Sequence, residues 1–75
     1  MLIQEFRLWS LRAQVYSDFR AGRERIRVVV ARGNSGGMAQ IELPEGGSPQ
    51  ERERLIDLIA STAIREICAE LDGRE

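Results

Sequence analysis

The run Arg25-Ile26-Arg27-Val28-Val29-Val30-Ala31-Arg32-Gly33-Asn34-Ser35-Gly36-Gly37-Met38-Ala39-Gln40-Ile41-Glu42-Leu43-Pro44 decides the fold. In it Ile26, Val28 and Val30 alternate with Arg25, Arg27 and Val29, and Ala39, Ile41 and Leu43 alternate with Gln40 and Glu42. A period of two marks strands with one buried and one solvated face. Gly33 to Gly37 lies between them, offers the positive-φ positions a hairpin needs and carries no large side chain, so a mobile tip is expected there. Pro44 lacks the N–H a ladder requires and ends the second strand.

Past Pro44, Glu45-Gly46-Gly47 leads to Ser48-Pro49-Gln50-Glu51, which has the form of a helix start. Serine sits at the N-cap, proline at the first helical position and glutamate where it closes a capping box. Leu55, Ile59, Ala63, Ile67 and Leu71 recur at every fourth position, with Ile56, Ala60, Ile64 and Cys68 beside them, and Gly73 supplies the stop. At ~100° per residue this apolar arc spans roughly 220°, more than one sheet face requires, so part of it is free to face a second surface.

Before Arg25 the pattern changes phase. Trp9, Leu11, Ala13 and Val15 alternate with Ser10, Arg12, Gln14 and Tyr16, whereas Phe6 and Leu8 alternate with Glu5 and Arg7 in the opposite phase. A single strand with a β-bulge near Leu8-Trp9 reconciles the two, and Asp18 to Arg23 then turns the chain into the next strand. The expected fold is α+β: a three-stranded antiparallel meander (β-β-β-α) covered on one face by the C-terminal helix. Its core would be Trp9, Leu11, Val15, Ile26, Val28, Val30, Ile41 and Leu43. The alternative, α-β-β-α, makes a helix of the first twenty residues through the stripe Leu2, Phe6, Trp9, Ala13 and Tyr16. Residues 1–75 form one small domain, with a sheet region over 1–44, a connector over 45–48 and the helix over 49–72.

A chain of 75 residues has room for a modest core and no large enclosed pocket. It has no histidine and one cysteine, Cys68, so imidazole general bases, Cys/His zinc sites and an intramolecular disulfide are excluded. Cys68 lies within the apolar arc as a small hydrophobe, and Ser10, Ser35 and Ser61 have no His/Asp companions. No catalytic set, cofactor, metal site or small-molecule substrate is therefore expected. No run is long and apolar enough to cross a bilayer and the start lacks a leader pattern, so a complete cytoplasmic protein is expected.

The net charge of −1 hides an asymmetry. Residues 1–32 hold seven arginines against three acids and residues 33–75 four arginines against nine acids, a net of +4 followed by −5. On the meander Arg7, Arg12, Arg25 and Arg27 point away from the helix and could face phosphates or an acidic protein. Glu53/Asp57 and Glu66/Glu70 are like-charged i,i+4 pairs on the helix, spaced for a solvated face or a basic partner rather than for metal. A surplus of apolar residues (Leu2, Ile3, Tyr16, Phe19, Val29, Ala31, Leu58 and Ala69), and a first strand of ~45 Å, suggest that part of the chain pairs outside itself as a homodimer or with a partner. The expected function is a non-catalytic protein–protein interaction module. By analogy of size and style it would be a small prokaryotic or phage accessory protein acting stoichiometrically on a larger complex, for example an inhibitor of the anti-CRISPR type working by occlusion. The alternative is a nucleic-acid-binding accessory factor using the arginine face.

Overall fold

The computed structural model describes residues 1–73. Four strands, β1 (Leu2–Leu8), β2 (Leu11–Arg20), β3 (Arg23–Arg32) and β4 (Ser35–Glu42), precede one helix, α1 (Pro49–Gly73). The strands form an antiparallel meander in the order β1-β2-β3-β4. The α+β class and the covering helix are as expected. The strand count is four rather than three, and the helical alternative for the first twenty residues does not occur.

The difference lies at Leu8-Trp9-Ser10-Leu11. Leu8 pairs with Leu11 across a two-residue loop, so the segment expected to be one long strand folds back on itself. The phase change has this cause: both sides of a two-residue hairpin place their flanking residues on the same face, so even-numbered Phe6 and Leu8 share a face with odd-numbered Leu11 and Ala13. The one register shift in β1 falls between Leu2 and Gln4 instead of near Leu8. Trp9, expected in the core, is 97% exposed at the turn. No Gly, Asn, Asp or Pro announces this turn, and Trp9 takes a φ of 54° in a region that favours glycine.

The two other hairpins are as tight. Ala21-Gly22 joins β2 to β3 with φ of 54° and 77°, the paired positive values of a type I′ turn. Gly33-Asn34 joins β3 to β4 with Gly33 at φ 59°. The loop is thus shorter than the expected five-residue tip, since Ser35, Gly36 and Gly37 already belong to β4. A Cβ on Gly37 would stand 2.8 Å from Ile67 Cγ2, so the glycine is the notch in which the helix rests. Gly37→Val is expected to lift the C-terminal half of α1 and cost about 1–3 kcal/mol. A urea midpoint that moves by less than Ile67→Ala recovers in the same background would contradict that account.

The core lies between the inner sheet face (Ala13, Val15, Ile26, Val28, Val30, Leu43) and the helix stripe Ile56, Ala60, Ala63, Ile67 and Leu71. Ser48 caps α1 as its sequence implies: its Oγ accepts the Glu51 N–H at 3.1 Å and donates to the Glu51 carboxylate at 3.3 Å. Two of the expected core residues sit at the margin, Leu11 half-buried and Ile41 47% exposed. The helix crosses the sheet diagonally. Near its N-terminus Asp57 accepts a hydrogen bond from Gln4 of β1 at 3.1 Å, and Arg52 grips Glu24 at the start of β3. Near its C-terminus Ile67 covers Gly37 of β4, and Asp72 pairs with Arg32 at 2.6 Å. Two opposite corners of the inner face are left thinly covered, one at the β1–β2 hairpin and one around Ile41.

Candidate functional site

At the β1–β2 corner the alternation that buries Ala13 and Val15 also turns Phe6 and Leu8 toward the helix side of the sheet. The diagonal of α1 has by then moved away from β1. Phe6 is 51% and Leu8 61% exposed although both belong to the apolar face. Between them and the helix lies an open groove of about 630 Å³, with Leu11 and Ala13 as floor and Ala60 and Ile64 as helical wall. Asp57 and Arg65 mark its polar rim. Trp9 projects from the turn that ends this hairpin, where it lines a separate shallow hollow with Arg7, Arg12, Ala31 and Gly33. A large aromatic ring fully in water, on a backbone conformation that costs a non-glycine residue roughly 1 kcal/mol, brings the fold no packing in return. Such a combination recurs where a side chain is kept for contact with something else.

The outer sheet face carries the four arginines identified in the sequence, already engaged with neighbours in most cases. Arg7 lies 3.4 Å from Glu5. Arg25 is opposite both Asp18 and Glu42 and approaches Glu42 at 3.9 Å. Arg27 stacks on Tyr16, with its guanidinium carbon 4.7 Å from the ring centroid. Arg12 is exposed beside Arg7, its cross-strand neighbour. A chain of side chains ties the face together: Tyr16 donates to Gln14 at 2.9 Å, and Gln14 donates to Glu5 at 2.7 Å. That bond from Gln14 is the main reason the Glu5 carboxyl stays below its ordinary pKa; slight desolvation opposes it, and the charges of Arg7 and Arg12 add to it. The face is a mixed mosaic of both signs, with Met38 59% exposed among the charges.

The two acidic pairs of the helix lie on different sides of α1. Glu53 and Asp57 flank β1, where Asp57 accepts from Gln4. Glu66 is nine positions beyond Asp57, about 180° around the helix, and is exposed on the opposite side. Glu70 is set apart from Glu53 and Asp57 in position. It is exposed near the end of α1, roughly 140° around the axis from Asp57, so it shares no surface with Glu53 and Asp57. It also has an interaction within the chain. The i,i+4 spacing joins Glu70 only to Glu66, and the length of helix between the two pairs turns them apart. Among the described residues no group of three or more acidic or cysteine side chains is placed to hold a metal ion.

One buried polar cluster went unnoticed in the sequence. Glu24, 9% exposed on the inner face, receives Arg52 Nε at 2.7 Å on Oε1. Its Oε2 accepts from both Arg52 Nη2 and the Ser17 hydroxyl. The bidentate bond from Arg52 holds the Glu24 carboxyl below its ordinary pKa against the opposing effect of burial, with help from Ser17. The cluster ties β2 and β3 to the first turns of α1 and closes one side of a second cleft, of about 560 Å³, under the β4–α1 connector. Its role is to seat the helix. The signal in the sequence was an acidic residue in phase with Ile26 and Val28, which only a partner on another element could neutralise.

No helix among the described residues is long and apolar enough to cross a membrane. Compared with known protein families, with curated proteins and with solved structures, the chain matches none.

Proposed function

We propose that the chain is a non-catalytic protein–protein interaction module that acts stoichiometrically by covering part of a larger partner, and that the β1–β2 corner is its contact surface. The observation that carries this reading is Trp9, 97% exposed at φ 54° in the turn of the hairpin whose first strand leaves Phe6 and Leu8 uncovered. Tryptophan anchors are over-represented among the residues that dominate binding, and a groove walled by Ala60 and Ile64 accepts an apolar side chain or helix turn. The arginine face supports nucleic-acid binding less, because Arg7, Arg25 and Arg27 already have acidic or aromatic neighbours.

Trp9→Gly separates the two roles of that residue. Relieving the positive φ is expected to stabilise the fold by about 0.5–1 kcal/mol, a rise in Tm of about 4 °C. In affinity capture from nuclease-treated lysate, the same substitution is expected to abolish recovery of a stoichiometric protein partner, whereas Arg25→Glu with Arg27→Glu leaves recovery intact. Submicromolar binding to short oligonucleotides that falls steeply with salt and disappears in the double arginine variant would replace this reading with the nucleic-acid one.

A further inference from the structure

β1 is an edge strand, so one row of its backbone groups has no partner within the sheet. The two-residue loop makes Leu8 and Leu11 a mutually hydrogen-bonded pair, and antiparallel alternation then turns the N–H and C=O of Phe6 and Gln4 toward β2. The free edge is lined by the N–H and C=O groups of Glu5 and Arg7. Regular pairing in β1 runs from Gln4 to Leu8, limited by the register shift after Leu2 at one end and the turn at the other. Phe6 is the midpoint of that segment.

Laid antiparallel against itself about Phe6, this segment is self-complementary. Glu5 of each copy falls opposite Arg7 of the other, on the outer face and in the hydrogen-bonded positions, so the four free backbone groups of each edge are satisfied. On the inner face Phe6 meets Phe6 in the closer, non-hydrogen-bonded geometry, and Leu8 meets Gln4. We propose that the chain forms a twofold dimer by pairing β1 with β1 of a second copy, centred on Phe6. The proposal rests on the reading of the β1–β2 corner as a protein-contact surface and supplies one occupant of it. The other edge, β4, has Glu42 as its only charged residue and two adjacent glycines, so no register there sets opposite charges across the seam. In the dimer the sheet becomes continuous over eight strands, and the two apolar corners join into one strip between the two helices.

A five-residue edge and one aromatic pair bury less than the ~1,200 Å² of a standard interface, so the dimer is expected to dissociate on dilution through the micromolar range. Sedimentation velocity over a concentration series tests the register directly. Glu5→Arg sets Arg against Arg twice across the axis, and Arg7→Glu sets Glu against Glu twice. Each alone is expected to weaken self-association about tenfold or more. Both together restore it, and an equimolar mixture of the two single variants forms a heterodimer. Circular dichroism checks that each variant is folded, as substitutions at these exposed positions predict. A wild-type chain that stays monomeric throughout overturns the dimer, as does a dimer indifferent to both single substitutions or a double variant that fails to recover. The Trp9→Gly capture experiment decides the contact-surface reading independently of those results.

Discussion

Ile26→Ala is expected to leave the chain largely unfolded at 25 °C. Ile26 is 0% exposed, held between Ser17 on β2 and Ile41 on β4 and covered by the helix. Truncating such a side chain costs about 2–5 kcal/mol, because its transfer energy is lost and the cavity left behind collapses only in part. A single core in a domain this small supplies only ~3–5 kcal/mol of net stability, so one substitution can consume it. The matching substitution at Ile41, directly across the ladder but 47% exposed, is expected to cost less than about 1 kcal/mol. Urea titrations followed by circular dichroism compare them. Equal losses at the two positions would mean that α1 covers the β4 margin as fully as the centre.

The second large effect is at Arg52, and it depends on pH. Removing its guanidinium leaves the Glu24 carboxylate on the inner face with only the Ser17 hydroxyl as a donor. Breaking a fully buried pair costs ~3–5 kcal/mol, but the Arg52 side chain is 44% exposed, so solvent screening reduces the expected loss for Arg52→Ala to about 2 kcal/mol. The sign of the pH dependence follows from Glu24, whose folded pKa is lowered chiefly by Arg52. A lowered carboxyl pKa adds stability at pH above the unfolded value of ~4.3 and forfeits it as pH falls through the folded value. In Arg52→Ala the main cause of the lowering is gone and burial is left to push the pKa up. The gap in stability between wild type and variant is therefore expected to be full near neutrality and to close below about pH 4. A gap that persists unchanged into acid would assign the loss to packing of the arginine stem instead of its charge.

Both predictions concern the seating of one helix, and that seating is where local sequence and tertiary structure part. Ser48, Pro49 and Glu51 specify the start of α1 through bonds within one turn, and the residues that make the cap are adjacent in the chain. The alternation from Arg25 to Leu43 specifies two strands and their faces for the same reason, since a period of two depends only on neighbours. Even the missed hairpin left its trace, because the phase change between Leu8 and Leu11 is what a two-residue loop requires. It was hidden because Trp9-Ser10 contains none of the Gly, Asn, Asp or Pro that mark such turns, although Trp9 takes a positive φ.

The candidate site was less legible. Arg7, Arg12, Arg25 and Arg27 do share the outer face, but cross-strand register decides that Arg12 lies opposite Arg7, that Arg27 meets Tyr16 and that Arg25 lies between Asp18 and Glu42. Spacing shows that Glu66 and Glu70 are neighbours on the helix. Phe6 and Leu8 carried the pattern of core residues, and nothing near them in the chain distinguishes them from Ala13 or Val15. Periodicity, caps and charge are short-range properties, so the sequence by itself determined the helix, the two strands from Arg25 to Leu43 with their faces, and the α+β class, but not the division of the first twenty residues into two strands. The diagonal path of the helix belongs to the tertiary structure. It depends on how Ile67 fits over Gly37, on Arg52 reaching Glu24 and on Gln4 reaching Asp57, contacts between segments up to 53 residues apart. Only that path decides which apolar residues are buried and which, at the β1–β2 corner, are left exposed.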